Sequence, residues 1–322
     1  MFSLKQKIQM VSWVIILFGA IAAYAVYQIS EQVLHPPEYR PAERGGSLPR
    51  IERDSTVWVH YQGLAGDPKG DLGLRYENVE FPTVEGGVLR GWFVPVVGET
   101  KKAIVTVHGA YFDRRDFLRR LPMLHKAGYP VLMFDCREHG MSSGSGLGPG
   151  LAQREHFDVS AAVDYLRQIR GFESIALFGQ SQGAVSSIIA AFRDPKIVAV
   201  IAENPFATLR SKDFPPPGMG DLPWWIARRV GAFIQWRADA TNPVEAIDLI
   251  HELSPMPIML MHGEKDQVVP PSHSQLLFAQ AGEPKRLWIA PGADHDALIN
   301  THPEEYESRV LGFLSEVFED VQ

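Results

Sequence analysis

The sequence has almost no cysteine, since Cys136 is the only one among 322 residues. No disulfide bond can therefore form within the chain, and no cysteines and histidines have the spacing of a zinc site. A single cysteine suits a cytosolic protein and equally an exported one that needs no disulfide. Cysteine usage therefore leaves the compartment open.

A basic surface is also missing. The chain has 31 lysines and arginines against 38 aspartates and glutamates, which gives a net charge of −7. This balance disfavours a nucleic-acid partner, because such proteins carry clustered positive charge. The sequence contains no internal repeat, low-complexity tract, phosphate-binding loop or nucleotide motif, so we expect no cofactor and no metal. Its 45% hydrophobic residues are typical of a globular protein with a sizeable core.

Charge is absent between Lys7 and Glu31, and residues 11–26 are almost wholly apolar. A helix of roughly 20 apolar residues is long enough to cross a bilayer. We therefore predict an uncleaved, single-pass membrane anchor within residues 1–34. Lys5 and Lys7 favour a cytoplasmic N-terminus, which places the rest of the chain in the periplasm or otherwise outside the cytoplasm.

Positive charge on the other flank weakens this orientation, and it comes from Arg40, Arg44 and Arg50. A cleavable signal peptide, giving a secreted protein, is the alternative, because residues 20–22 and 23–25 resemble small-x-small cleavage sites. A buried core helix is the third interpretation of the same apolar stretch.

Short apolar strands alternate with helices through the rest of the chain, a pattern typical of a mostly parallel sheet with helices on both faces. We predict a linker and lead-in over 35–72 and one α/β domain over 73–322. The predicted strands are 76–82, 88–94, 103–107, 129–134, 175–178, 197–202, 258–261 and 286–290. The predicted helices are 115–127, 153–170, 184–192, 272–281 and 303–318.

Residues 205–253 interrupt this alternation, because the segment is far longer than a usual connection between sheet strands. It contains three consecutive prolines followed by aromatic residues on helix-like spacing: Trp224, Trp225, Phe233 and Trp236. We predict a helical cap over the strand ends whose aromatic side chains line an acyl pocket, since ligands bind outside the carboxyl ends of such strands. An additional helical pair packed on the domain is the alternative.

The most specific motif is the segment 179–183, Gly-Gln-Ser-Gln-Gly, between a predicted strand and a predicted helix. This context is that of a nucleophile elbow, a turn so tight that the serine backbone is strained and its neighbours must be small. The serine hydroxyl then projects above the sheet, next to the N-terminus of the following helix. We predict that Ser181 is the nucleophile.

A serine nucleophile needs an imidazole to take its proton and a carboxylate to orient that imidazole. In the elbow architecture these follow the serine as acid and then histidine. Asp266, just past the predicted strand 258–261, is the expected acid, with Glu264 as the alternative. His295, after the last predicted strand, is the expected base. We interpret its neighbours Asp294 and Asp296 as an acidic surface patch rather than as groups that raise its pKa.

Acyl transfer also needs hydrogen-bond donors for the oxyanion. The backbone N–H of Gln182 and that of Ala110, in the loop after the third strand, are the expected donors, with Tyr111 in reserve. We expect structural roles for His108, which would hold this loop, and for His262, which would bind backbone groups. A nucleophilic cysteine would duplicate the serine, so we expect Cys136 to be a semi-buried spectator.

Several segments together resemble the α/β-hydrolase superfamily, near the membrane-tethered BEM46-like and serine-aminopeptidase-type hydrolases, over residues 70–320. Residues 262–270, His-Gly-x-x-Asp-x-Val-Val-Pro, are similar to a specific motif of that group. Residues 135–142 resemble its Asp-x-Arg-Gly-x-Gly-x-Ser motif, although Glu138 and His139 depart from it. Residues 73–77 and 91–95 look like its lead-in.

This resemblance implies a serine hydrolase and says little about substrate, because one triad serves esters, amides and peptides. Membrane tethering and an aromatic cap favour a carboxylic ester with an apolar, lipid-like acyl part. An exopeptidase is an alternative, in which a cap carboxylate would bind the substrate amine: Glu203, Asp213 or Asp221. An acyltransferase and a non-catalytic binding protein are the others.

Overall fold

The structure is a computed structural model, and it describes residues 4–35, 66–210, 223–241 and 243–319. Most of the predicted linker, and the candidate residues Asp213 and Asp221, lie outside the described residues.

The described strands form one eight-stranded sheet in the order β1-β2-β4-β3-β5-β6-β7-β8. β2 runs antiparallel to β1 and β4, and every other pairing is parallel. The predicted mostly parallel sheet is therefore confirmed. The strands are β1 Glu77–Pro82, β2 Val88–Val94, β3 Lys102–Val107, β4 Val131–Asp135, β5 Ser174–Gln180, β6 Ile197–Glu203, β7 Ile258–Gly263 and β8 Lys285–Ala290.

Helices cover both faces of the sheet. Neighbouring residues of a strand point to opposite sides, so a strand that is apolar throughout needs a packing partner on each face. Along β5, Ile175 and Leu177 join one buried apolar cluster, whereas Ala176 and Phe178 join a second one. The helices are α1 Leu4–Leu34, α2 Pro68–Leu72, α3 Leu121–Lys126, α4 Glu155–Asp164, α5 Gln182–Arg193, α6 Trp224–Arg237, α7 Ala246–Leu249, α8 Ser272–Gln280, α9 Leu298–Thr301 and α10 Pro303–Glu319.

Two helices predicted as continuous are divided in the structure. The prediction over 115–127 is wrong, because a 3-10 turn, Arg114–Arg119, precedes α3. Pro122 is the second residue of α3, a position whose N–H has no partner within the helix, so its absence costs nothing. The same proline prevents an α-helix that begins earlier from continuing through this point. In the prediction over 153–170, α4 changes to a π-helical turn at Tyr165–Ile169.

The turn between β5 and α5 has the strain that the sequence predicted. Ser181 has φ 52° and ψ −118°, a region that L-residues rarely occupy. A Cβ on Gly179 would lie 2.2 Å from the carbonyl oxygen of Gly183, and one on Gly183 would lie 2.1 Å from that of Val107. Side chains are therefore excluded at both glycines, and the turn packs directly against β3.

The N-terminal helix α1 is 31 residues long, and its segment Ser12–Leu34 has a mean hydropathy of 1.8. None of its most apolar window is buried against the rest of the protein. It is thus long and apolar enough to cross a membrane, and no other described helix is. Among its described side chains, the buried ones lie in the last turns and are Ser30, Val33 and Leu34.

The cap segment contains α6, α7 and a 3-10 turn at Ile250–Leu253. The three tryptophans that we expected to line an acyl pocket face outward instead. Trp224, Trp225 and Trp236 are 62%, 55% and 63% exposed, because α6 buries the opposite side of the helix. That buried side consists of Ala227, Val230, Gly231 and Ile234.

The tight packing of the turn makes a prediction about stability. Gly183→Ala should lower the free energy of unfolding by about 1–3 kcal/mol, because the added methyl overlaps the backbone of β3. Gly312→Ala is the matched control, since no atom lies within 4 Å of its added Cβ and alanine favours the α10 helix. Thermal unfolding in detergent measures both, and equal midpoints for Gly183→Ala and the wild type would contradict the packing argument.

Candidate active site

Ser181 lies at the carboxyl end of β5, where the chain enters α5. Its backbone N–H donates to the carbonyl oxygen of Glu203 at 2.8 Å, which ties the turn to the end of β6. The Ser181 hydroxyl oxygen lies 3.1 Å from Nε2 of His295. The hydroxyl is thus within hydrogen-bond distance of a group that can accept its proton.

His295 lies in the loop between β8 and α9, and its Nδ1 is 2.5 Å from Oδ2 of Asp266. Asp266, which follows β7, is held in turn by the backbone N–H groups of Val268 and Val269, both donating to Oδ1. Asp266 and His295 are each only 6% exposed. The structure thus brings together the three side chains that the sequence singled out, in the order serine, histidine, aspartate.

Glu264, the alternative acid, is placed elsewhere. It is exposed, and its carboxylate accepts the backbone N–H of Gly292 at 2.8 Å.

A second histidine, His262, contacts Asp266, and this contact was not predicted from the sequence. Nε2 of His262 lies 2.8 Å from the carbonyl oxygen of Val269, as expected, and also 3.1 Å from Oδ2 of Asp266. Because a carbonyl oxygen only accepts, Nε2 carries the proton, and Nδ1 accepts from the hydroxyl of Ser274 at 2.6 Å. The spacing of four residues between His262 and Asp266 in the His-Gly-x-x-Asp motif was the available signal.

The neighbours set the charge states of the pair. Burial raises the pKa of Asp266, but hydrogen bonds from His262 and His295 outweigh this and hold it well below its usual range. Burial lowers the pKa of His295, whereas the hydrogen bond to Asp266 and the charges of Asp296, Asp266 and Glu203 together raise it to about 9. The site therefore favours an ionised aspartate and stabilises an imidazolium.

The interpretation of Asp296 as part of a surface patch is wrong. Its Oδ1 accepts from the side-chain amide of Gln180 at 2.7 Å, which places the carboxylate over the end of β5. Its negative charge contributes to the raised pKa of His295. Asp294 does face solvent, and its side chain accepts the backbone N–H of His295.

The loop after β3 lies against the serine turn. A Cβ on Gly109 would lie 2.2 Å from the side-chain oxygen of Gln180, and the N–H of Gly109 donates to Asp116. Within the described part of the chain, the backbone N–H groups of Ala110 and Gln182 donate no hydrogen bond. Gln182 is the first residue of α5, so its N–H lacks a partner within the helix. Both predicted oxyanion donors are therefore available.

Tyr111, the reserve donor, is excluded. Its backbone N–H already donates to Nε2 of His139 at 3.1 Å. Burial lowers the pKa of His139 to about 3, so this imidazole is neutral and can accept. His108 has the expected structural role, because its Nδ1 contacts the Gly109 carbonyl and its Nε2 accepts the N–H of Cys136.

Two further candidates prove to be structural. Cys136 is fully buried rather than semi-buried, and burial raises the pKa of its thiol well above the usual value. Glu203, one of the three carboxylates that the exopeptidase alternative offered, is not available to a substrate amine, because it is buried and paired with Arg120 at 2.7 Å and with the Tyr306 hydroxyl at 2.5 Å. The described residues contain no group of histidine, cysteine and acidic side chains arranged to hold a metal ion.

Comparisons with known proteins agree with this architecture. The chain is 30% identical to the Escherichia coli K12 protein YfhR over 247 residues, covering 74% of this chain and 80% of that protein. It is 27% identical to the Arabidopsis thaliana α/β-hydrolase domain-containing protein WAV2 over 218 residues, covering 65% of this chain and 68% of the relative.

Solved structures share the fold. The Pyrococcus furiosus esterase Pf2001 aligns with a TM-score of 0.65 at 24% identity, covering 86% of this chain and 98% of that structure. Est1E from Butyrivibrio proteoclasticus, solved with ferulic acid, aligns with a TM-score of 0.59 at 22% identity, covering 75% and 99%. The model of the prolyl oligopeptidase family (Peptidase_S9) matches residues 117–321. The chain therefore belongs to the prolyl oligopeptidase family, within the α/β-hydrolase superfamily.

Proposed function

We propose that the protein is a membrane-anchored serine hydrolase that cleaves carboxylic esters through an acyl-enzyme. The observation that carries the proposal is the continuous hydrogen-bonded chain from the Ser181 hydroxyl through His295 to Asp266. Ser181 Oγ attacks the ester carbonyl carbon while its proton passes to Nε2 of His295. Asp266 keeps the proton on Nδ1 and stabilises the resulting imidazolium.

The tetrahedral intermediate places negative charge on the former carbonyl oxygen. The N–H groups of Ala110 and Gln182 are the proposed donors to that oxygen, and each such donor is worth about 3 kcal/mol of transition-state stabilisation. The proton on His295 then goes to the alkoxide leaving group as the carbon–oxygen bond breaks. Water, deprotonated by His295, releases the acid and restores Ser181.

The second candidate function is the cleavage of peptides rather than esters. The family is named for a peptidase, which favours an amide-cleaving activity as the second candidate. Glu203, the one described residue among the three carboxylates considered for binding an N-terminal amine, is paired with Arg120. The ester assignment agrees with the activity named for the esterase Pf2001, whose fold is similar.

We also propose that α1 is a single-pass anchor with its N-terminus in the cytoplasm. Its exposed apolar side chains have no partner in the described domain, so lipid is the environment that suits them. The preceding lysines set the orientation. The hydrolase domain would then lie on the far side of the membrane, where an apolar acyl ester partitioned in the bilayer is close to the site.

The nucleophile assignment predicts covalent labelling. The wild-type protein should react with a fluorophosphonate probe, and Ser181→Ala should abolish both labelling and ester hydrolysis, because the attacking oxygen is gone. Ser160→Ala, in α4 and distant in sequence from the triad, is the matched control and should label as the wild type does. Labelling of Ser181→Ala at the wild-type level would contradict the assignment, and an unlabelled wild type would favour a non-catalytic binding protein.

The substrate assignment predicts a preference between bond types. Purified enzyme should hydrolyse p-nitrophenyl esters with a higher kcat/KM than aminoacyl p-nitroanilides, and the ester rate should rise with acyl chain length. Both reactions release a chromophore and are followed by absorbance. A higher kcat/KM for an anilide would make the peptidase the correct candidate.

The raised pKa of His295 predicts an alkaline pH profile. The base must be neutral to take the serine proton, so kcat/KM should rise with pH through the pKa of His295, which is about 9. Asp296→Asn removes a charge that stabilises the imidazolium, so the acid limb should move to lower pH.

Asp294→Asn is the control for this experiment, because it also removes a negative charge next to His295, and Asp294 is not among the main causes of the raised pKa of His295. Its profile should coincide with that of the wild type. Identical profiles for Asp296→Asn and Asp294→Asn would show that Asp296 does not tune the base.

A further inference from the structure

The cap helix α6 packs on the last turns of the anchor helix α1. Their contact is a separate apolar cluster, which contains Val33, Leu34, Ala227, Val230, Ile234, Ala238 and Ala240. Polar contacts add to it at the end of α6. Arg237 donates to the hydroxyl of Ser30 at 2.6 Å, pairs with the carboxylate of Glu31, and lies 4.5 Å over the ring of Tyr27. The two helices are thus joined by both apolar and charged contacts.

The position of this contact along α1 sets the level of α6 relative to a bilayer. An α-helix rises about 1.5 Å per residue, so residues 12–29 span about 27 Å, close to the thickness of the hydrocarbon core. Glu31 is the first charged residue after Lys7, so α1 leaves the hydrocarbon near this point. Arg237 holds α1 at this same level. The end of α6 therefore lies at the membrane surface when α1 spans the bilayer.

The outward side of α6 has the composition of an interfacial surface. Directly opposite its buried side lie Trp225, Arg229, Ala232 and Trp236, and all four are exposed. Arg228 lies beside this row and Trp224 lies in the first turn of α6, and both are also exposed. We call these six residues the tryptophan face.

Two contrasts distinguish the tryptophan face from the rest of the domain. The other described tryptophans outside α1, Trp92 and Trp288, are buried. The α6 sequence has three arginines and no acidic residue, whereas the whole chain has a net charge of −7. Tryptophan and arginine together are favoured where apolar lipid meets anionic headgroups, since the ring inserts and the guanidinium binds phosphate.

The same region reaches the proposed active site. The hydroxyl of Tyr111 donates to the backbone carbonyl of Val33 at 2.5 Å, so the loop that carries Ala110 touches the last turn of α1. Anchor, cap and proposed oxyanion loop therefore meet at one level of the molecule.

We propose that the tryptophan face lies in the interface of an anionic lipid bilayer and is a second membrane-contact surface beside α1. Trp225 and Trp236 insert at the level of the headgroups, and Arg228 and Arg229 contact lipid phosphates. This inference rests on the proposed insertion of α1. It adds that α6 of the cap also contacts the membrane, close to the proposed active site.

Quenching by spin-labelled lipids tests the proposal on the full chain in nanodiscs of phosphatidylcholine and phosphatidylglycerol. Single cysteines are introduced as Trp236→Cys, Phe18→Cys and Val97→Cys and labelled with an environment-sensitive fluorophore. Cys136 is fully buried, so the wild-type chain should take up no label and serves as the blank. Phe18 reports on α1. Val97 is fully exposed after β2, at the edge opposite the carboxyl ends of the parallel strands, and serves as the reference.

Doxyl lipids should quench the probe at position 236 several-fold more than the probe at 97, and the probe at 18 most strongly. If the probe at 18 is quenched but the probe at 236 is quenched no more than the probe at 97, the inference is overturned and the proposal that α1 is an anchor stands. An unquenched probe at 18 would overturn both proposals. A probe at 236 that is shielded from water yet unquenched by lipid would reveal a protein on this face, such as a second copy, and would also overturn the inference.

The charge on the tryptophan face gives a second arm to the experiment. In anionic discs, the double substitution Arg228→Gln and Arg229→Gln should reduce the quenching of the probe at position 236. For the chain that keeps both arginines, quenching at 236 should be weaker in discs of phosphatidylcholine alone than in anionic discs. Quenching that is the same in all these conditions would overturn the assignment of anionic headgroups.

Discussion

The backbone of Ser181, held at a positive φ between β5 and α5, is the constraint on which the site depends. Glycines at 179 and 183 allow the strand and helix to meet so closely that the turn contacts the carbonyl of Val107. Because β7 and β8 run parallel to β5, the loops after them end at the same edge and carry Asp266 and His295 to the serine.

A buried ion-pair network stabilises the carboxyl ends of the parallel strands next to Ser181. Arg120 is 1% exposed and pairs with both Glu203 and Asp116. The Glu203 carbonyl accepts the N–H of Ser181, and the Asp116 carboxylate accepts that of Gly109. One guanidinium thus links the serine turn to the proposed oxyanion loop. Removing such a charge would leave buried carboxylates uncompensated, which is strongly destabilising.

Much of this arrangement could be predicted from local sequence, because strand periodicity and the Gly-x-Ser-x-Gly turn depend on neighbours along the chain. The parallel sheet and the elements carrying the triad were predicted in this way. The partners of Asp296 and Glu203 could not be, since each contact joins side chains that only tertiary packing brings together. The outward tryptophans were misinterpreted because aromatic spacing identifies one helix side without showing which way that side faces.

The hydrogen bond from Tyr111 to the Val33 carbonyl joins α1 to the domain, whatever the role of α1 as an anchor. A soluble fragment made by cutting behind residue 34 would lose that acceptor and uncover the apolar side of α6 that rests on it. Such a fragment would lack a contact that holds the loop of Ala110 and Tyr111 next to Ser181. The folded unit that holds the proposed site accordingly includes the last turns of α1.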